Sequence, residues 1–203
     1  MNILAFCSAL DKTYLAIKYN EKIYDEIIKT DENYHSLYLI SKIKSVFDDN
    51  SLDLKNIDLI TVNSGPGSFT GIRAALSIAK VMSSELNKPL VCLNTAEILL
   101  NVYDYNKLVM DARRDMFFIG TKENIQIVLK ENIKEKISKN DKILTDKNSF
   151  AMFDNAFCYE DGEKNTALTM LNLAEEKFTQ SKDKSEFSHT KAQANYIQTP
   201  PVF

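Results

Sequence analysis

Asp58-Leu-Ile-Thr-Val-Asn-Ser-Gly-Pro-Gly-Ser-Phe-Thr-Gly-Ile-Arg73, then an alanine-rich run, then Lys88-Pro-Leu-Val-Cys-Leu93, reads as strand, glycine loop, helix and strand. Three of the chain's five glycines, Gly65, Gly67 and Gly71, fall in this loop. Glycine tolerates positive φ and close backbone approach, so the cluster marks a special turn. The loop opens directly into a helix expected over Phe69–Leu86, whose first N–H groups and dipole attract anions. Gly65, Gly67, Ser68, Thr70 and Gly71 are therefore a candidate anion site. Between Arg73 and Lys80 the helix runs Ala-Ala-Leu-Ser-Ile-Ala without a charge. A helix covering a sheet on one side only should be polar on its other face. Two readings follow: burial inside its own domain, or a sheet on one face and a partner helix on the other.

Working outward, residues 2–9 are a continuous apolar run, expected to be a central strand. Thr13–Tyr19 and Lys22–Lys29 alternate around Asn20-Glu21, a pair suited to a tight hairpin. Asn33 to Asp48 has a helical period with a broad apolar face. Ile57–Val62 and Pro89–Asn94 read as strands and Thr95–Tyr103 as a short helix. Lys107–Met110, Met116–Thr121 and Ile125–Leu129 then repeat the opening pattern of closely spaced strands. Residues 131–165 are rich in Lys, Asn and Asp, with short apolar runs at 143–144 and 156–159. Thr166–Gln180 is an amphipathic helix, followed by a polar linker and an extended end at Pro200-Pro201. Two sheets that each start with hairpin strands point to an α/β duplication. The expected division is residues 1–100 and a smaller second half, residues 101–203.

The 203 residues are 44% hydrophobic and 26% charged, a globular composition. A net charge of −3 supplies no basic footprint for unaided nucleic-acid binding. Cys7, Cys92 and Cys158 are too far apart for a metal motif and suit a reduced compartment. The longest apolar runs are too short to span a bilayer, so a soluble, cytoplasmic protein is expected. The loop is not a Walker A sequence, since no Gly-Lys-Ser/Thr follows. Gly65-x-Gly67-x-x-x-Gly71 is one residue too long for a dinucleotide fingerprint, and Ser68 follows Gly67 too closely for a nucleophile elbow. A plain strand-to-helix turn capped by Ser68 or Thr70 remains the simple reading. Only His35 and His189 could serve as histidine bases, and no spacing ties either to a serine or a metal. Asp111-Ala-Arg-Arg114-Asp115 reads either as a charged hairpin turn or as an anion or partner contact, because Arg presents a planar donor fork.

Ser64-Gly-Pro-Gly-Ser-Phe-Thr-Gly-Ile-Arg73, with Ala79-Lys80 behind it, resembles the signature of the bacterial TsaB (YeaZ) family. In order around it stand His35-Ser36, Lys88-Pro-Leu-Val and Met110-Asp-Ala-Arg-Arg114, with a looser match at Ala194-Asn-Tyr-Ile. The resemblance covers about residues 1–120 well. It implies an actin/Hsp70/sugar-kinase-like fold of two ribonuclease-H-like halves, the second reduced. It implies a non-catalytic subunit acting in formation of N6-threonylcarbamoyladenosine at position 37 of tRNA. The implied partners are the TsaD transferase, a paralogue of this chain, and the TsaE ATPase, with a homodimer in their absence and tRNA met only indirectly. Leu39, Ile43, Val46, Arg73, Ala75, Ile78 and Met82 are the expected interface, with His35, Asp111, Arg113 and Arg114 as further polar contacts. No metal or resident cofactor is expected, and ATP or ADP only in the assembled complex. The chain departs from the family in having Cys7-Ser8-Ala9 where an Asp usually follows the first strand, which removes the usual anchor for a metal-bound phosphate. The alternatives are a phosphotransferase or ATPase of this fold using the 65–71 loop, and a peptidase acting on its partner through Ser68.

Overall fold

The structure, a computed structural model, describes residues 1–28, 38–195 and 197. In chain order it contains β1 (Ile3–Cys7), β2 (Thr13–Tyr19), β3 (Lys22–Ile28), α1 (Leu39–Asp49), β4 (Leu59–Asn63), α2 (Phe69–Leu86), β5 (Leu90–Leu93) and α3 (Thr95–Tyr103). There follow β6 (Lys107–Arg113), β7 (Met116–Gly120), β8 (Ile125–Leu129), β9 (Ile143–Thr145), α4 (Lys147–Phe150), β10 (Ala156–Cys158) and α5 (Thr166–Gln180). Two compact units result, Met1–Thr95 with Asn165–Asn195, and Ala96–Lys164.

The first unit is a five-stranded sheet in the order β3-β2-β1-β4-β5. β1–β2–β3 is an antiparallel meander, and β4 and β5 run parallel to β1. Asn20 and Glu21 make the β2–β3 turn with φ of 47° and 62°, the left-handed pair that a two-residue hairpin needs. Every residue of β1 is buried. Because side chains alternate across a strand, both faces of the sheet must be covered. Leu4 and Phe6 join the cluster with Leu39, Ile43, Phe47, Ala75 and Ala79 of α1 and α2. α5 packs on β1, β2, β4 and β5 and covers the face carrying Ile3 and Ala5.

The placement of α5 corrects the expected boundary. Thr166, Ala167, Met170, Leu171 and Ala174 are buried on the first sheet, and Asn165 caps the helix while its Nδ2 donates to Leu15 O at 3.1 Å. The first unit is therefore closed by residues that follow the second in sequence. The second unit repeats the topology: β6-β7-β8 is an antiparallel meander, and β9 and β10 lie parallel to β6 on its other side. It is reduced in that β9 and β10 have three residues each and α4 has four. The helix expected over 33–48 is described from Leu39, and its earlier residues lie outside the described ones.

Candidate functional site

Gly65 and Gly67 have φ of 104° and 157°, and the Gly65–Pro66 peptide is cis. Asn63, the last residue of β4, pins the turn: its Oδ1 accepts from Gly65 N–H at 2.8 Å and from the Thr95 hydroxyl at 3.1 Å. Ser68 caps α2, its Oγ accepting from Gly71 N–H at 3.3 Å. What fills the loop is the chain itself. Ser68 N–H donates to Ala9 O at 2.8 Å, and Ser8 Oγ donates to Gly71 O at 2.8 Å. A Cβ on Gly67 would collide with the Ala9 carbonyl, and one on Gly71 with the Ser8 carbonyl. The close approach predicted from the glycines is thus to the β1–β2 turn. The Ala9 carbonyl takes up the Ser68 N–H, a donor that a phosphate cradle would turn to its ligand, and a carbonyl itself only accepts hydrogen bonds. Ser68 and Thr70 are exposed beside this turn. Cys7 is fully buried, accepts from Asn63 Nδ2 at 3.4 Å, and has its thiol pushed up to about 11 by burial.

α2 has one buried face and one exposed face. Gly71, Ile72, Ala75, Leu76, Ala79 and Ser83 are buried, whereas Phe69 and Val81 are 58% and 62% exposed. The helix is therefore not enclosed in its own domain. Opposite Val81 across a groove of about 630 Å³ stands Ile40 of α1, 62% exposed, with Ile78, Met82, Leu52 and Leu54 between them. Lys44 and Asp48 form the polar rim, 3.9 Å apart. At the N-terminal end Arg73 lies over the Phe69 ring, 5.2 Å from its centroid.

This geometry divides the expected interface residues. Leu39 and Ala75 are 0% exposed and belong to the core, whereas Ile43, 5% exposed, packs in the core and also lines the floor of the groove. Val46, Ile78 and Met82 pack on the core's edge and are half-buried, and Arg73 is exposed. The sequence reading missed Ile40, Phe69 and Val81, which carry the outward apolar surface. No apolar stripe marks them in the sequence, since the positions one turn beyond Ile40 are Lys44 and Asp48.

Asp111, Arg113 and Arg114 sit together at the β6–β7 turn. Asp111 Oδ1 accepts from Arg113 N–H at 2.7 Å and its Oδ2 from Asn148 Nδ2 at 3.3 Å. The buried Asp146 carboxylate accepts from Asp111 N–H at 2.7 Å and Ser149 N–H at 2.8 Å. His35 lies outside the described residues. Among the described residues no group of three or more His, Cys, Asp or Glu could hold a metal ion, and no helix is long and apolar enough to cross a membrane.

Two sheets of one topology, each a β-meander extended by parallel strands, place the molecule in the α/β actin/Hsp70/sugar-kinase-like class. A family model described as "TsaD: tRNA N6-adenosine threonylcarbamoyltransferase" matches residues 22–198, and the chain belongs to that family. A relative from Buchnera aphidicola, "tRNA threonylcarbamoyladenosine biosynthesis protein TsaB", is 35% identical over 48% of this chain and 44% of that one. The tRNA N6-adenosine threonylcarbamoyltransferase of Thermosipho melanesiensis is 28% identical over 46% of this chain and 34% of its own length. The chain thus spans less than half the length of these curated relatives. The solved structure "YeaZ from Pseudomonas aeruginosa" superposes with a TM-score of 0.76, covering 97% of this chain and 99% of that one at 16% identity, which shows a shared fold.

Proposed function

We propose that this protein is a non-catalytic subunit in the formation of N6-threonylcarbamoyladenosine at position 37 of tRNA. It binds a TsaD-type transferase and holds it in an active arrangement. The observation that carries this reading is the exposed apolar groove between α1 and α2, on a chain whose relatives carry TsaB and transferase names. Desolvated apolar anchors in such a groove dominate association energy. In the absence of the transferase the same face pairs two copies of this chain, and a TsaE-type ATPase completes the assembly in the cytoplasm. The Ser8 and Ala9 carbonyls in the glycine loop, and the use of Ser68 as a helix cap, support a chain without its own phosphotransfer or peptidase chemistry. Nucleotide binding, on this reading, belongs to the assembled complex. Ile78→Glu with Val81→Glu puts two charges in the groove while sparing the core. Binding of the transferase, measured by titration calorimetry, should weaken at least about a hundredfold. Unchanged affinity would remove the groove from the interface.

A further inference from the structure

The β6–β7 turn is built at a cost that its fold does not require. Arg113, Arg114 and Asp115 have φ of 64°, 53° and 55°, three successive non-glycine residues in the left-handed region. Arg114 and Asp115 are the two central residues of the hairpin, where Asn-Gly or Gly-Gly would sit with little strain, and Arg113 occupies the adjoining bulge. Such strain persists only where the surroundings enforce it, and here Asp111, Asn148 and Asp146 brace the backbone from the ends of β6 and β9.

The side chains carried by this strained turn are unusual for the chain. Of its 25 basic residues only three, Arg73, Arg113 and Arg114, are arginines. Two of them stand side by side on the turn, both exposed, and no ion pair to either guanidinium occurs among the described residues. Arginine differs from lysine in its planar fork, which binds a carboxylate or phosphate through two parallel N–H donors. We infer that the Arg113–Arg114 turn is a docking contact for carboxylates on a protein partner. This inference rests on the reading that the chain binds a transferase, whose surface would carry those carboxylates.

The charge pattern favours a protein over a nucleic acid. Asp115, next to the two arginines, is exposed and lies 3.9 Å from Lys130, so the patch mixes signs. Residues 96–164 hold thirteen acidic and eleven basic side chains. A polyanion would meet that negative background, whereas a surface of alternating charge can match it locally.

The decisive variant is Arg113→Gly with Arg114→Gly. Glycine removes both guanidinium groups and relieves the left-handed strain, so the fold should melt no lower than the parent, and loss of binding cannot be laid to unfolding. Titration of the full chain with the purified transferase should show at least tenfold weaker binding by the double variant, with a shallower salt dependence. Arg113→Lys with Arg114→Lys should recover only part of that loss. Equal affinity of parent and glycine variant would overturn this inference and leave the proposed function standing. Failure of the parent chain to bind the transferase at all would overturn both. A glycine variant that loses affinity for tRNA, and none for the transferase, would replace carboxylate by phosphate as the ligand and so refute the assignment.

Discussion

Gly67 and Gly71 show how a residue's role is set by what it faces. Each lies against a backbone carbonyl of the β1–β2 turn, which has no side-chain freedom with which to retreat. Gly71→Ala should therefore destabilise the protein by about 3 kcal/mol or more, seen as a lower urea midpoint, as expected of overpacking against fixed backbone. Gly162 is crowded too, but by the Tyr103 side chain, so Gly162→Ala should cost less. The spacing of the glycines was legible in the sequence as a special loop. Its occupant was not, because Ser8 and Ala9 lie about sixty residues away and no pattern encodes which carbonyl will arrive. A second residue-scale expectation concerns thiols. Burial pushes Cys7 and Cys92 from 9.0 up to about 11. Below pH 9 the thiols are protonated in both states and their contribution is complete. Between about pH 9 and 11 the unfolded chain releases protons that the folded chain keeps, so stability falls as pH rises. Urea unfolding at pH 8 and pH 10 should show this loss, and Cys7→Ala should reduce its pH dependence.

At the scale of elements, α1 and α2 are each two-faced, and phase decides everything. Ala75 and Ile78 are three residues apart, yet one is fully buried and the other looks into the groove. Ala75→Glu should unfold the first unit, since an unpaired charge would be forced under the sheet. Ile78→Glu should shift the melting temperature by only a few degrees, as surface-edge changes do. Circular-dichroism melts of the two variants would distinguish them. The uncharged run of α2 was legible as a helix, and the structure buries one of its faces on the sheet and leaves the other exposed. Which residues of α2 face outward was not legible, because small residues such as Ala74, Ala75 and Ala79 fit either face, and hydrophobicity alone does not phase them. α1 is harder still: Leu39, Ile40, Ile43, Val46 and Phe47 make an apolar face too wide to divide by eye. The exposed apolar side chains of the two helices are Ile40, Val81 and Phe69, and Ile78 and Met82 line the groove.

The whole molecule is a topology used twice, and the second use interrupts the first. Strand spacing made the repetition legible, because both halves open with a meander and continue with parallel strands. The return of α5 to the first sheet was not legible, since an amphipathic helix states that it needs a surface without naming which. A fragment ending at residue 100 should therefore fail to fold, lacking the helix that covers Ile3 and Ala5. Joining residues 1–95 to 165–195 through a flexible linker should restore a cooperative melt. Both outcomes can be read from amide dispersion in a proton–nitrogen correlation spectrum. The proposed role of this molecule in tRNA modification is tested most directly by quantifying N6-threonylcarbamoyladenosine in tRNA from cells depleted of the protein. The modification should fall sharply, return with the parent chain, and fail to return with Ile78→Glu/Val81→Glu. Normal levels of the modified base in depleted cells would contradict that role.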